Sequence, residues 1–323
     1  MASVTVLPEG AAVRVNVPGS SANLGPGFDA IGLALGVWDS YDVVVEGDAL
    51  VIDVTGESAD EVPRDASHLV HRCLASGLAR LGVDVPAGLH LVCRNGVPHS
   101  RGLGSSATAV VAGYAAATAL VDLARGGEGA VDLDLVNQLA GEHEGHPDNS
   151  SASVYGGMTL SWSTRPPAVA PVRTVQVEVH PDVVPVVLVP DLTLSTSTAR
   201  SVLPQEVPLK HAALNSARAA LLVEAVSRRP ELLLDATVEW LHQEQRREAY
   251  PASMRLLDQL RELGHAAVVS GAGPTVLVLT TADRVGEVRA LPLPQGWRSA
   301  TPGIPTVGVS AVRLGVSRGA PPV

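Results

Sequence analysis

The sequence predicts an α+β chain (α/β, two-layer) in two successive parts, residues 1–164 and 165–323. Three observations carry that expectation. Short β-branched runs alternate with longer segments of helical apolar spacing. The stretch Thr164–Pro171 holds three prolines and breaks the pattern near the middle. Each part then has strands and helices of its own, within the usual size of a domain.

In the first part, Ala12–Val17 alternates and is expected as a strand. Pro18–Asp29 contains two prolines and three glycines, which argue against regular structure and for an ordered polar loop. Ala30–Gly36 is small and apolar, and Tyr41–Glu46 and Leu50–Val54 read as strands. Ser67–Leu81 places Leu69, Val70, Cys73, Leu74, Leu78 and Leu81 on one helical face. Ala87–Arg94 is a strand feeding the loop Pro98–Thr108, and Ser106–Leu123 is apolar nearly all round, as in a central buried helix. Val131–Glu144 is a further helix, stopped by Gly145 and Pro147, and Tyr155–Trp162 a strand.

The second part opens with strands at Val172–Val179 and Val183–Val189 and a polar loop, Ser195–Pro204. Helices are expected at Leu209–Val226, at Glu231–Ala249 and from Pro251 onward. Strands Ala266–Ser270 and Thr275–Leu279 flank Gly271–Pro274. A short helix from Asp283, a last strand Thr306–Val316 and a frayed tail from Arg318 complete the chain.

Composition narrows the function. With 46% hydrophobic residues but only 3% aromatics, the core must be built from Ala, Val and Leu. A net charge of −10 argues against nucleic acid as a partner, because phosphate backbones call for a basic face. Lys210 is the only lysine, so the Gly-Lys-Ser/Thr of a Walker A loop is absent. Cys73 and Cys93 sit in apolar contexts and read as small buried hydrophobes. The N-terminus has no basic run leading into an apolar one, and Ala107–Val121 is shorter than the ~20 residues of a membrane span. No membrane partner and a cytoplasmic location are therefore expected.

The most informative stretch is Pro98-His-Ser-Arg-Gly-Leu-Gly-Ser-Ser-Ala-Thr108, at the mouth of the buried helix. The first amides of a helix lack internal partners and its dipole makes that end positive, so the loop is either a phosphate cradle or an ordinary serine-capped turn. Gly102-x-Gly104-x-x-Ala107 also matches the dinucleotide fingerprint in form. It lies outside a first βα turn, however, and no acidic strand end follows at ~20 residues.

Three glycine-rich loops, Pro18–Asp29, Pro98–Thr108 and Ser270–Pro274, resemble in order and wording the three motifs of the galactokinase, homoserine kinase, mevalonate kinase and phosphomevalonate kinase (GHMP) superfamily. Within it, Ser21-Ala-Asn-Leu-Gly-Pro-Gly-Phe-Asp29, Glu144-Gly-His-Pro-Asp-Asn149, Ser197-Thr-Ala-Arg200 with Leu203-Pro204, Leu241-His-Gln-x-Gln-Arg246 and Ser270-Gly-Ala-Gly-Pro274 are similar to the homoserine kinase branch.

The resemblance covers nearly the whole chain. It implies a ribosomal-protein-S5-like nucleotide-binding domain, a ferredoxin-like C-terminal domain and a site between them. It also implies a homodimer that moves the γ-phosphoryl of ATP to the hydroxyl of L-homoserine in threonine synthesis. ATP would lie on Pro98, His99, Ser100, Arg101, Gly102, Leu103, Gly104, Ser105, Ser106, Ala107 and Thr108, with Mg²⁺ on Ser106 and Glu142. Glu144 is the competing metal ligand.

The resemblance also assigns the substrate groups. Arg200 and Arg246 would take the carboxylate, which suits a guanidinium fork. Asp29 would take the ammonium, Asn23 and Asn149 would orient hydroxyl and amine, and His146 would lie in the substrate site. Asn23, His146 and Arg246 are the expected catalytic set. His146 titrates in the right range for a general base and Asp148 is a second candidate, yet the hydroxyl proton can also pass to the phosphate. Without the resemblance, Arg246 reads as a surface residue and Asn23 as a turn asparagine. His68 stands where many members have an asparagine and receives no firm role. The rival readings are a GHMP kinase for another small alcohol, such as mevalonate, and a non-catalytic ligand-binding regulator on the same fold.

Overall fold

The computed structural model describes residues 6–163, 171–194 and 196–315. In chain order the first elements are β1 (Ala12–Ala22), β2 (Ile31–Val44), β3 (Leu50–Gly56), α1 (Leu69–Arg80) and β4 (Leu89–Asn95). α2 (Ser105–Ala124), α3 (Leu133–Glu144), α4 (Asp148–Tyr155), β5 (Met158–Trp162) and β6 (Arg173–Val177) follow. Then come β7 (Val183–Pro190), α5 (Thr196–Ser201), α6 (Leu209–Ser227), α7 (Leu233–Ala236), α8 (Pro251–Glu262), β8 (Ala266–Val269), β9 (Val276–Thr281), α9 (Val285–Arg289), β10 (Trp297–Ala300) and β11 (Ser310–Arg313). The expected α+β class is found.

The larger sheet runs β11-β1-β2-β4-β3, with β5 paired to β2 and β6 to β5. β1 is longer than expected and enters the stretch read as a loop. Its pairing with β2 shifts register between Pro18 and Gly19 and resumes to Ala22. Such an irregularity lets a proline, which has no N–H to donate, sit within a strand. Strands from both sides of residue 164 share this sheet, because β6 and β11 both join it. The 164/165 division therefore does not separate the sheets: a proline-rich stretch marks a break in local structure, not where strands pair. Residues 164–170 of that stretch, and the tail from Arg318, lie outside the described residues.

The second sheet is β10-β7-β9-β8, antiparallel throughout. Helices separate β7 from β8 and β9 from β10, which gives the split βαβ, ferredoxin-like order. One apolar cluster lies between the larger sheet and its helices, including Val15, Val43, Leu74, Leu91, Val110 and Leu120. A second joins both parts of the chain, bringing Leu24, Leu33, Leu103 and Met158 against Leu222, Val268 and Leu277. α2 is long and apolar enough to cross a membrane, yet 78% of that window is buried within the protein. It is the central helix that its all-round apolar character predicts. Cys73 and Cys93 are buried free thiols, both pushed up to about 12 by burial.

Two further expectations are corrected. The loop Ser195–Pro204 contains α5. Glu231–Ala249 is not one helix but a 3-10 turn at Pro230–Leu232, α7, an irregular bend and a second 3-10 turn at Glu244–Arg246. The breaks have side-chain causes. The Thr237 hydroxyl donates back to the Leu233 carbonyl, and the Glu239 carboxylate accepts from the amides of Leu241, His242 and Gln243. Such local bonds compete with continuing helix.

Candidate active site

Three loops meet at the N-terminal end of α2. Ser20 N donates to Leu103 O (3.0 Å) and Gly271 N to Ala22 O (3.1 Å). The Ser270 hydroxyl reaches Gly102 O at 2.5 Å and Ser21 Oγ at 2.8 Å. Glycine is required where they touch. Gly102 and Gly104 have φ of 77° and 75°. A Cβ on Gly102 would lie 2.3 Å from Ser270 O, and one on Gly104 2.3 Å from Ser20 Oγ. Gly104 provides no side-chain cap, and the first helical bond is from Thr108 N to Gly104 O. The amides of Ser105, Ser106 and Ala107 are thus left for a ligand.

Of the residues expected to bind nucleotide, Ser100, Gly102, Gly104, Ser105, Ser106 and Ala107 line a cleft of about 370 Å³. Pro98, His99, Arg101, Leu103 and Thr108 do not. Arg101 turns away to the carbonyls of Pro190, His99 and Asp191, Leu103 is core, and Thr108 anchors the loop. The Thr108 hydroxyl donates to Asp39 Oδ2, while Asp39 Oδ1 accepts from the amides of Gly96 and Val97. Asp39 is buried on β2, and no motif in the sequence marks it as part of the site.

At the far side, α3 ends and α4 begins. Glu144 lines the cleft, and Glu142 does not. Residues two apart on a helix differ by about 200°, so the two carboxylates cannot face one way. Glu142 instead accepts from Gln138 Nε2 at 2.8 Å. Glu144 shares the cleft wall with Ser106, its Oε2 is buried without a partner, and burial pushes its pKa up to about 7. Glu144 is therefore the carboxylate placed beside Ser106. His146 Nδ1 lies 3.3 Å from Asp148 Oδ1. Burial alone would lower the His146 imidazole, but its bond to Asp148 and the charges of Asp148 and Glu144 outweigh that and raise it. Asn149 accepts from the Ser20 hydroxyl at 3.1 Å.

The arginines come from the opposite wall. Arg246, expected on a surface without the resemblance, is 1% exposed; its Nε donates to Ala199 O at 2.8 Å. The broken helix delivers it there. Arg200, on α5, pairs with Asp29 through Nη2–Oδ1 (2.5 Å) and Nη1–Oδ2 (3.3 Å). Asn23, at φ 70°, joins two loops: Oδ1 accepts from Asp29 N and Nδ2 donates to Gly271 O. One N–H and one lone pair of its amide remain. Asn23, His146, Asp148, Asn149, Arg200 and Arg246 all line the cleft, whereas Asp29 stands behind Arg200.

Residues 68–157 match the family described as GHMP kinases N terminal domain, and residues 217–290 match GHMP kinases C terminal. The homoserine kinase of Streptomyces avermitilis is 48% identical over 307 residues, covering 94% of this chain and 97% of that protein. That of Streptomyces coelicolor is 51% identical over 281 residues, covering 87% and 88%. This chain belongs to the homoserine kinase family of GHMP kinases. Among solved structures, a homoserine kinase from Cytophaga hutchinsonii superposes with a TM-score of 0.75 at 21% identity, covering 94% of this chain and 98% of that one. Mevalonate diphosphate decarboxylase from Staphylococcus aureus gives 0.61 at 16%, covering 94% and 98%. These two likenesses show the fold.

For a homoserine kinase family member the cleft has the needed polarity. Unpaired helix amides and a glycine turn stand at one end, for a phosphate chain. Two guanidinium groups stand at the other. His68 does not line it; it is 5% exposed, with burial lowering its pKa.

Proposed function

We propose that this chain is an ATP-dependent kinase that phosphorylates the side-chain hydroxyl of L-homoserine, giving O-phospho-L-homoserine for threonine synthesis. The observation that carries the reading is the convergence of Arg200 and Arg246 on the same cleft as the open N-terminus of α2. The α2 amides and the Gly102–Ala107 backbone hold the phosphates. Arg200 and Arg246 take the carboxylate of homoserine, and Asp148 offers a carboxylate to its ammonium in place of Asp29, whose two oxygens are paired with Arg200. Asn23 and Asn149 orient the acceptor.

Mg²⁺ fits beside Ser106 and Glu144, where a buried carboxylate oxygen lacks a partner and the donors are hard oxygens. Among the described residues no cluster of three or more His, Cys, Asp or Glu forms a cage, so the protein offers two oxygens. When bound, the ion would neutralise phosphate charge during transfer.

The proton of the attacking hydroxyl has two routes. His146 is held by Asp148, and that bond with the nearby carboxylate charges raises its pKa, which favours the cationic imidazolium. We assign it to charge stabilisation in the substrate site, with the hydroxyl proton passing to the phosphate. The protein is proposed to act in the cytoplasm as a homodimer, with 1–164 and 165–323 as its parts.

The arginine assignment is tested by comparing L-homoserine with its amino-alcohol analogue, in which the carboxylate is replaced by CH₂OH. Wild-type kcat/KM should fall by about 100-fold or more on the analogue, the size of a lost charge-assisted pair. Arg246→Ala should lose as much on homoserine and little further on the analogue. Equal losses on both substrates would remove Arg246 from the carboxylate site.

A further inference from the structure

Phe28 and His242, both within the motifs, have no role so far. Phe28 is the chain's one phenylalanine. Its ring stacks on His242 with centroids 5.1 Å apart and planes 23° from parallel. The His242 side chain has no exposure. Its Nε2 lies 2.8 Å from the Gly25 carbonyl, which can only accept, so Nε2 carries the proton. Nδ1 is then a lone pair, and Arg246 Nη1 donates to it at 3.2 Å.

The same ring holds both cations. The Arg200 guanidinium carbon is 5.7 Å and that of Arg246 5.8 Å from the Phe28 centroid. Two like charges at one ring repel. The ring quadrupole attracts each of them, Asp29 balances Arg200, and the Nδ1 lone pair and Ala199 carbonyl anchor Arg246.

We infer that Phe28 and His242 are positioning residues for the substrate carboxylate: their stack ties the Arg200–Arg246 pair to the Gly25–Asp29 loop and sets the two guanidinium groups before substrate arrives. This rests on the reading of the two arginines given under Proposed function. Preorganisation of this kind acts on affinity, because the site need not be ordered at binding. Loss of the stack should therefore be read in the KM for homoserine and not in the KM for ATP, whose phosphates lie on the α2 amides.

The test compares His242→Leu with His242→Asn, and Phe28→Leu with Phe28→Tyr. His242→Asn returns an acceptor near the place of Nδ1, and Phe28→Tyr keeps the ring. The expected result is a homoserine KM raised about tenfold or more in both leucine variants, the size of a lost hydrogen bond to a charged group. ATP KM should stay within about threefold, with at least partial recovery in the asparagine and tyrosine variants. Unchanged homoserine KM in the leucine variants, or an equal rise for both substrates, overturns the inference. A ¹⁵N spectrum of His242 in the substrate-free wild type needs neither turnover nor a folded variant. Protonated Nε2 with a bare Nδ1 is expected, and the opposite tautomer overturns the inference even if homoserine proves not to be the substrate.

Discussion

At the scale of single residues, the decisive contrast is Glu142 against Glu144. Both belong to the end of α3, but only Glu144 meets the cleft and Ser106. Glu144→Gln should lower kcat by about 100-fold or more, as for other groups that stabilise charge in transfer, while Glu142→Gln should change it less than about threefold. Kinetics at saturating Mg·ATP check this. The pKa of Glu144 adds a pH test. In the folded protein its carboxyl keeps its proton up to about 7, against an ordinary 4.5. The folded state therefore binds more protons than the unfolded one between these values, and this group's contribution to stability falls as pH rises through that window. Glu144→Gln should melt with wild type near pH 4 and be more stable at pH 8, by up to about 3 kcal/mol. For His146, replacement by alanine should lose less than ~10⁴ in kcat, the upper range of a general base; a larger loss would show that the imidazole takes the hydroxyl proton. The residue types of the site were legible in the motifs, but facing was not. Glu142 and Glu144 are indistinguishable without knowing how α3 is rotated on the core.

At the scale of elements, the glycine loop was readable and its neighbours were not. The apolar run after Gly104 identified α2 as a buried helix within a residue or two of its ends. The strand β1 was cut short because Pro18 and Gly19 read as breakers, whereas a register shift absorbs them. The helix expected over Glu231–Ala249 failed for a different reason. Glu239 and Thr237 make side-chain bonds that compete with helix, and the resulting turns carry Arg246 into the interior. No periodicity reveals such a bend. Gly102→Ala probes the element contact directly. The added methyl would meet Ser270 O at 2.3 Å at a φ of 77°. The variant should lose about 1–3 kcal/mol of stability, as strained left-handed positions do, and raise the KM for ATP. Denaturant unfolding and ATP saturation curves give both numbers, and an unperturbed KM would detach this loop from the nucleotide.

At the scale of the whole molecule, the two parts share one core and one function. The apolar cluster around Leu33, Leu103, Leu222 and Leu277 joins both sheets, while β6 and β11 carry the later part of the chain into the larger sheet. The cleft forms where these parts meet: α2 and the end of α3 bring Ser106 and Glu144, and α5 and the turn before α8 bring Arg200 and Arg246. The linear sequence shows the break at its prolines but not strands that pair across it, because pairing depends on contacts far apart in the chain. The central claim is that these groups act together on one small zwitterionic alcohol. It is tested most directly by ADP release from Mg·ATP over homoserine, threonine, serine, mevalonate and galactose. Homoserine should give the highest kcat/KM, and the preference should vanish in Arg246→Ala; faster turnover of mevalonate or galactose, or no turnover of homoserine at all, would contradict the account.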